Sequence, residues 1–333
     1  MNRRRQRRQQ GFTLVELMVA MLLGLMLSWL VVDVYINSSR SQALLLRNQQ
    51  LNESGRYLAE LLRREISAAG FYGYTAAVPS AQTEPEPLCQ LLDSGPASQQ
   101  LSYPLLGVDN ATASLTCSDQ RNSATASDLS SCTAQGNLTL TAATGSDLLL
   151  LRRVAFTPSL AEATGSRAVN RELDSCQHYL LSAPDGATLV KFVKGDGSSR
   201  QLTDGAVWRY LEDIFYTTAS GQFQRVYLDQ GRFKSSRTIA EGVEDFQLEY
   251  GIDSDGDGIA DSWTTAPQGA AQWAAVVVVN YYLLLVAEAA RADTAAQTFN
   301  YAGKQRVADD GRMRQLFSGS VRLASPAMRR AGQ

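Results

Sequence analysis

The sequence predicts an α+β protein in which one long N-terminal helix, apolar in its first half, packs on an antiparallel β-rich globular head. Three observations carry this. Residues 12 to 36, FTLVELMVAMLLGLMLSWLVVDVYI, form one apolar run. Polar residues then enter at helical spacing up to residue 70. Beyond residue 146, short β-branched and aromatic runs alternate with turn residues.

The chain has 333 residues, 44% apolar and 19% charged, which suffices for a sizeable core once the N-terminal run is set aside. Its net charge of −2 conceals an asymmetry, because Arg3, Arg4, Arg5, Arg7 and Arg8 all precede the apolar run. Of 31 basic residues, 26 remain beyond residue 11 against 33 acidic ones, a net charge of −7. A body of that sign does not draw phosphate backbones by its overall field, which argues against nucleic acid as the primary partner.

As a helix, residues 12 to 36 are long enough to cross a hydrocarbon core of about 30 Å. The arginines place the N-terminal side in the cytoplasm, and so the chain beyond about residue 40 in the periplasm or outside. The alternative is a cleaved secretory signal. Against it, the run is longer than a signal core, no small-x-small site follows, and helix-forming sequence continues directly. Glu16 interrupts the run. An unpaired charge there costs about 2.5 to 3.5 kcal/mol on insertion scales, so it requires a partner or a place near the headgroups.

Gly11-Phe12-Thr13-Leu14-Val15-Glu16 resembles the type IV prepilin motif. The resemblance implies a leader peptide over residues 1–11, cleavage by prepilin peptidase between Gly11 and Phe12, N-methylation of Phe12, and a role for Glu16 in setting subunit register against a neighbour's terminal amine. A buried carboxylate and a buried ammonium each offset the other's desolvation, which agrees with that role. It also implies the type IV pilin fold, with residues 12–36 as the transmembrane part of the helix.

Residues 37–70 read as a periplasmic amphipathic half, with Leu44, Leu51, Leu58, Leu61, Leu62, Ile66 and Ala69 as a buried stripe. The helix is expected to run from about Thr13 to Ala69, stopped by Gly70, with Gly24 and Gly55 as weak points. Residues 52–58, NESGRYL, and 63–73, RREISAAGFYG, resemble the segment that distinguishes PilW-like minor pilins. The head, residues 71–333, opens with a loop-rich segment, 75–145, holding one short strand at Asn137 to Thr141. Further strands are expected at 147–156, 177–182, 188–193, 207–218, 223–228, 243–250, 273–287 and 317–323, with hairpin turns at Pro184-Asp185-Gly186 and Ala219-Ser220-Gly221. The run AAVVVVNYYLLLVAEAA is too short to span a membrane and reads as a buried strand. Leu316 to Leu323 resembles the closing strand of PilW-like and J-type pseudopilin heads.

Cys89, Cys117, Cys132 and Cys176 lie on the side predicted to be oxidising, where an even count favours disulfides. Cys117–Cys132 with Cys89–Cys176 is the preferred pairing, since the short bridge ties down a loop with little core; three connectivities remain open. Zinc is the rival, without a CxxC or histidine pair to support it. Asp253, Asp255, Asp257, the Ile259 carbonyl and Asp261 repeat the first part of a calcium loop, with glycines for its turns. Thr264 stands where an EF-hand carries its bidentate glutamate, so a calcium ion would be held weakly; a solvated acidic turn is the alternative.

No GxSxG, HExxH, P-loop or strand-linked GxGxxG occurs, the one histidine is His178, and Glu244-Asp245 reads as a solvated strand edge. The reading is therefore a structural subunit, not an enzyme. The resemblance implies a bacterial inner-membrane protein, single-pass with a periplasmic head, that passes to the pilus or its tip. Its implied partners are other minor pilins, the major pilin, prepilin peptidase, the inner-membrane assembly platform and a tip adhesin. The functions implied are priming of pilus assembly and support of twitching motility, adhesion or DNA uptake; a J-like pseudopilin of a type II secretion tip, or a tip adhesin, are the alternatives.

Overall fold

The computed structural model describes residues 13–75, 85, 101–112, 115–117, 138–162, 164–183, 186–230, 232–290 and 295–324. Helix α1 (Leu14–Ser67) is continuous through Gly24 and Gly55, so neither glycine breaks it. Its first part, Leu14–Ser39, is long and apolar enough to span a membrane, and none of that apolar surface is buried within the protein. Residues up to Asn52 form one compact unit and those from Glu53 onward another. Within the second unit, Leu58, Leu62 and Ile66 recur every four residues and are wholly buried. The helix stops at Ser67, two residues short of the sequence expectation, because Ala69 and Phe71 N–H turn back to the Ile66 and Ala68 carbonyls. Gly70, at φ 76°, then donates its N–H to the Arg152 carbonyl, which a residue with a Cβ would do only under strain.

The head comprises β1 (Leu105–Val108), β2 (Leu115–Cys117), β3 (Leu138–Leu140), β4 (Leu148–Val154), α2 (Ser166–Glu172), β5 (His178–Ala183), β6 (Gly186–Lys191), β7 (Ala206–Thr217), β8 (Gln222–Asp229), β9 (Arg232–Glu241), β10 (Val243–Ile252), β11 (Ser262–Thr264), α3 (Gly269–Ala274), β12 (Val276–Ala290), β13 (Gln297–Tyr301), β14 (Lys304–Ala308) and β15 (Arg312–Arg322). The larger sheet has the order β1-β4-β7-β5-β6, with β8 on β7 and β9 on β8. A smaller sheet has the order β11-β10-β12-β15, and all pairs are antiparallel. β7 organises the larger sheet because its twelve residues serve two neighbours on one edge, β5 at Ala206 to Arg209 and β8 at Asp213 to Thr217.

The two sheets are stitched together just before β4. Ser146 Oγ donates to the Phe246 carbonyl and accepts its N–H, and the Asp147 carboxylate accepts Leu248 N–H at 2.8 Å. α1 packs on the smaller sheet where Gly55 meets the Phe317 ring, so closely that a Cβ there would overlap it. Gly55, expected as a weak point, is thus a docking notch.

The apolar run ending at Ala290 is β12, the buried centre of its sheet, as its length predicts. The hairpin turn at Ala219-Ser220-Gly221 forms with Gly221 at φ 78°. β5 and β6 also form a hairpin, although Pro184 and Asp185 lie outside the described residues. Several expectations need correction. The segment 75–145, expected as loop with one strand, also holds β1 and β2; Leu105-Leu106 pairs with Leu151-Leu150 and is buried by that pairing, not by periodicity of its own. Trp273 and Ala274 belong to α3, and the strand begins at Val276. α2, β9, β11 and the β13–β14 hairpin were not anticipated.

Candidate functional site

The N-terminal turn of α1 holds the first candidate. Gly11 and Phe12, the expected cleavage and methylation residues, lie outside the described residues. Thr13 caps the helix: its N–H and hydroxyl donate to Glu16 Oε2 at 3.0 and 2.9 Å, and Glu16 N–H returns to Thr13 Oγ1 at 3.3 Å. This is a reciprocal capping box. The carboxylate therefore has two donors within its own chain and sits at the positive end of the helix dipole. Thr-x-x-Glu is a sequence signature of such a cap, so Thr13 was legible as the partner of Glu16 and was missed.

The second candidate is the acidic loop joining β10 to β11. Ile252 pairs with Ser262, which fixes the loop's ends, while Gly256 and Gly258, at φ 87° and 84°, let the chain fold back. Asp253 is 1% exposed and accepts Gly256 N–H at 2.7 Å and Gly258 N–H at 3.0 Å. Asp261 accepts Ser254 N–H at 2.7 Å, and Arg322 donates to the Gly258 carbonyl at 2.9 Å. Ligand oxygens of Asp253, Asp255 and Asp261 lie within 4.8 Å of one another, close enough to share a cation. Asp257 stands outside that group and accepts Ile259 N–H at 2.7 Å.

Cys176 is disulfide-bonded. Cys89, Cys132 and the side chain of Cys117 lie outside the described residues, so the pairing stays an expectation.

A third group, unforeseen in the sequence, fixes the helix to the head. Adjacent residues in a strand face opposite ways, so Arg152 and Arg153 of β4 serve two faces. Arg153 donates to Glu65 of α1 at 2.7 and 3.0 Å, and Arg64 donates to the other Glu65 oxygen at 3.0 Å. Burial pushes the Glu65 carboxyl up, but the charge and hydrogen bonds of Arg153 outweigh it and hold the group below its ordinary value. Nearby, Asp213 receives Arg225 through two bonds of 2.9 Å; there burial wins, and its carboxyl is raised. Arg152 meets Glu212 at 2.8 Å with both side chains out of solvent. Glu244, expected on a solvated edge, instead pairs with Arg306 of β14 and with Arg314 of β15 at 2.6 Å. Each of these carboxylates is engaged by an arginine.

A family described as "Type IV Pilus-assembly protein W" matches residues 215–325, from the end of β7 through β15. A second, "Prokaryotic N-terminal methylation motif", matches residues 6–32. Among solved structures, the type IV-like pilin TTHA1219 from Thermus thermophilus is 15% identical over 49% of this chain and 94% of that chain, with a TM-score of 0.28. No curated protein matches the chain.

Proposed function

Taking the chain for what both its ends make it, a PilW-like type IV minor pilin with a long apolar helix and an antiparallel β head, we propose that it primes type IV pilus assembly and stands at or near the pilus tip. The observation that carries this is the order of parts: a methylation motif opens a single helix that continues into the head, and the head carries the PilW match. Cleavage after Gly11 would remove the arginines that hold the N-terminus in the cytoplasm and leave the apolar helix as the anchor. The freed amine of one subunit and Glu16 of the next then neutralise each other as subunits leave the bilayer, which selects one axial register. The partners on this reading are other minor pilins, the major pilin, prepilin peptidase, the inner-membrane assembly platform and a tip adhesin. The filament serves twitching motility, adhesion or DNA uptake.

The acidic loop is proposed as a weak calcium site using Asp253, Asp255 and Asp261. Its three carboxylates repel one another unless a cation lies between them, and oxygen ligands suit calcium. Backbone N–H groups already occupy part of the Asp253 and Asp261 acceptor capacity, consistent with weak binding.

Deletion of the gene with two readouts tests the main proposal. Loss of surface pili with type II secretion intact is the expected result. Loss of secretion with normal piliation would assign the chain to the J-like pseudopilins instead.

A further inference from the structure

α1 carries a second acid in its apolar first part. Asp33 lies within Leu14–Ser39, about 28 Å outward from Leu14 at 1.5 Å per residue, and so at the outer headgroup level when the N-terminus is held in the cytoplasm. Two Thr13 groups donate to Glu16, whereas Asp33 Oδ2 accepts one bond, from the Asn37 amide at 3.3 Å. A neutral amide does not offset the charge. In the bilayer, water among the headgroups does so, and the acid is tolerated there.

Bundling removes that water. Val31, Val32, Val34, Tyr35 and Ile36 flank Asp33 and are all exposed. Beyond the polar residues 37–42, Leu45 and Leu46 are exposed again. Exposed apolar residues thus extend over about 48 Å from Leu14, against a hydrocarbon core of about 30 Å. Lipid covers only part of that length, and in a filament parallel helices of the same kind cover it all. A carboxylate enclosed among them requires a cation at its side.

The sequence of α1 supplies that cation in a second copy of itself. Where the freed amine of one copy meets Glu16 of the next, the first stands about four residues, or about 6 Å, further from the cytoplasm. Its Asp33 is then level with residue 37 of the inner copy. Helical side chains lean towards the N-terminus, so an arginine rooted at residue 40 of the inner copy comes down to that level. Arg40 stands at that position, one heptad from Asp33 and so within about 20° of the same helix face. Phe12 and Asp33 are three heptads apart, and a single line of contact, turning by about 60°, passes both. One displacement therefore satisfies two charge pairs.

We propose that α1 is self-complementary: two copies of this chain pack side by side with a displacement of about 6 Å, and Asp33 of the outer copy pairs with Arg40 of the inner one. This rests on the minor-pilin reading and on its Glu16 pairing. Within one helix the two residues stand about 10 Å apart, so the pair forms only between copies. It selects the displaced neighbour over an unshifted one, in which Asp33 meets Asp33 and Arg40 meets Arg40.

Two full-length copies with different tags are expressed together in the native host, and one is recovered through its tag from detergent-solubilised membranes. The wild-type copies are expected to co-purify. Asp33→Arg in both copies opposes like charges and is expected to lower co-purification at least about tenfold at equal membrane abundance, while Asp33→Arg combined with Arg40→Asp in both restores it, which a change of packing alone would not do. Co-purification of Asp33→Arg at the wild-type level, or failure of the reversed pair to restore it, overturns the self-pairing and leaves the minor-pilin reading standing. Recovery of other pilins with the wild-type chain but no second copy does the same. If Asp33→Arg does not accumulate in the membrane, Asp33→Asn, which removes the charge alone, is expected to lower co-purification, and a wild-type level for that variant overturns the pairing. A mature chain that does not begin at Phe12 lacks the amine that sets the displacement, and both readings then fall together.

Discussion

Glu16 is tolerable in a membrane helix because its charge is met where it stands. Two donors from Thr13 hold it at the helix N-terminus, so insertion does not depend on a neighbouring subunit. Glu16→Ala is accordingly expected to insert at least as well as the wild type, since it makes the span more apolar, yet to be depleted from sheared pili. Immunoblots of membrane and pilus fractions check both halves. Asp147 shows the opposite balance. Burial drives its carboxyl up to about 7 against the N–H groups of Asn110 and Leu248, with Asp109 adding to the rise and Lys304 opposing it. A folded-state value above the ordinary one means the native head holds a proton that the unfolded chain has released. This group's contribution to stability is therefore full below about pH 4 and declines as pH rises towards 7, by on the order of 1.4 kcal/mol per unit at steepest. Denaturant unfolding at pH 5 and pH 8 measures it. Asp147→Asn should flatten that slope while lowering stability by about 1 to 3 kcal/mol, because the amide cannot accept at both positions. Glu16 was legible as a lone charge in an apolar run. Asp147 was not, because its environment comes from Leu248, 101 positions away in the chain.

At the scale of elements, what the sequence revealed were those whose own residues decide their state. β12 was legible because fifteen residues of almost unbroken apolar and aromatic character fit only a strand buried on both faces. β9, with four charges in ten residues, carries no such pattern and exists because β8 offers it a ladder. The joint between α1 and the head was likewise hidden, since a glycine and two charged residues give no periodic signal. Its energetics are testable. Gly55→Leu improves helix propensity but drives a side chain into the Phe317 ring, and the overlap is expected to win, destabilising by about 1 to 3 kcal/mol. Arg153→Met leaves Glu65 buried with only the exposed Arg64 for company, and a loss of about 3 to 5 kcal/mol is expected; adding Glu65→Leu should recover most of it. Unfolding of the full chain in detergent reads each variant, and a double variant no more stable than Arg153→Met would show that the pair is not what holds this joint.

Along the whole chain, the first part of α1 is long and apolar enough to span a membrane, and the head carries two antiparallel sheets with an acidic loop between β10 and β11. Calcium is expected to raise the unfolding temperature progressively through the millimolar range, because a ligand that binds only the folded state stabilises it by mass action, and magnesium to do much less. Asp255→Ala with Asp261→Ala should abolish the rise; an equal rise in that variant would place the ion elsewhere. The claim on which everything else depends is that the chain is a prepilin, cut before its membrane helix and retained by it. Mass spectrometry of the protein extracted from membranes tests this most directly. The expected mature chain begins at Phe12 with one added methyl group, whereas a chain beginning beyond residue 30 would mean that the apolar run is a discarded signal and that the molecule is not a filament subunit of this kind.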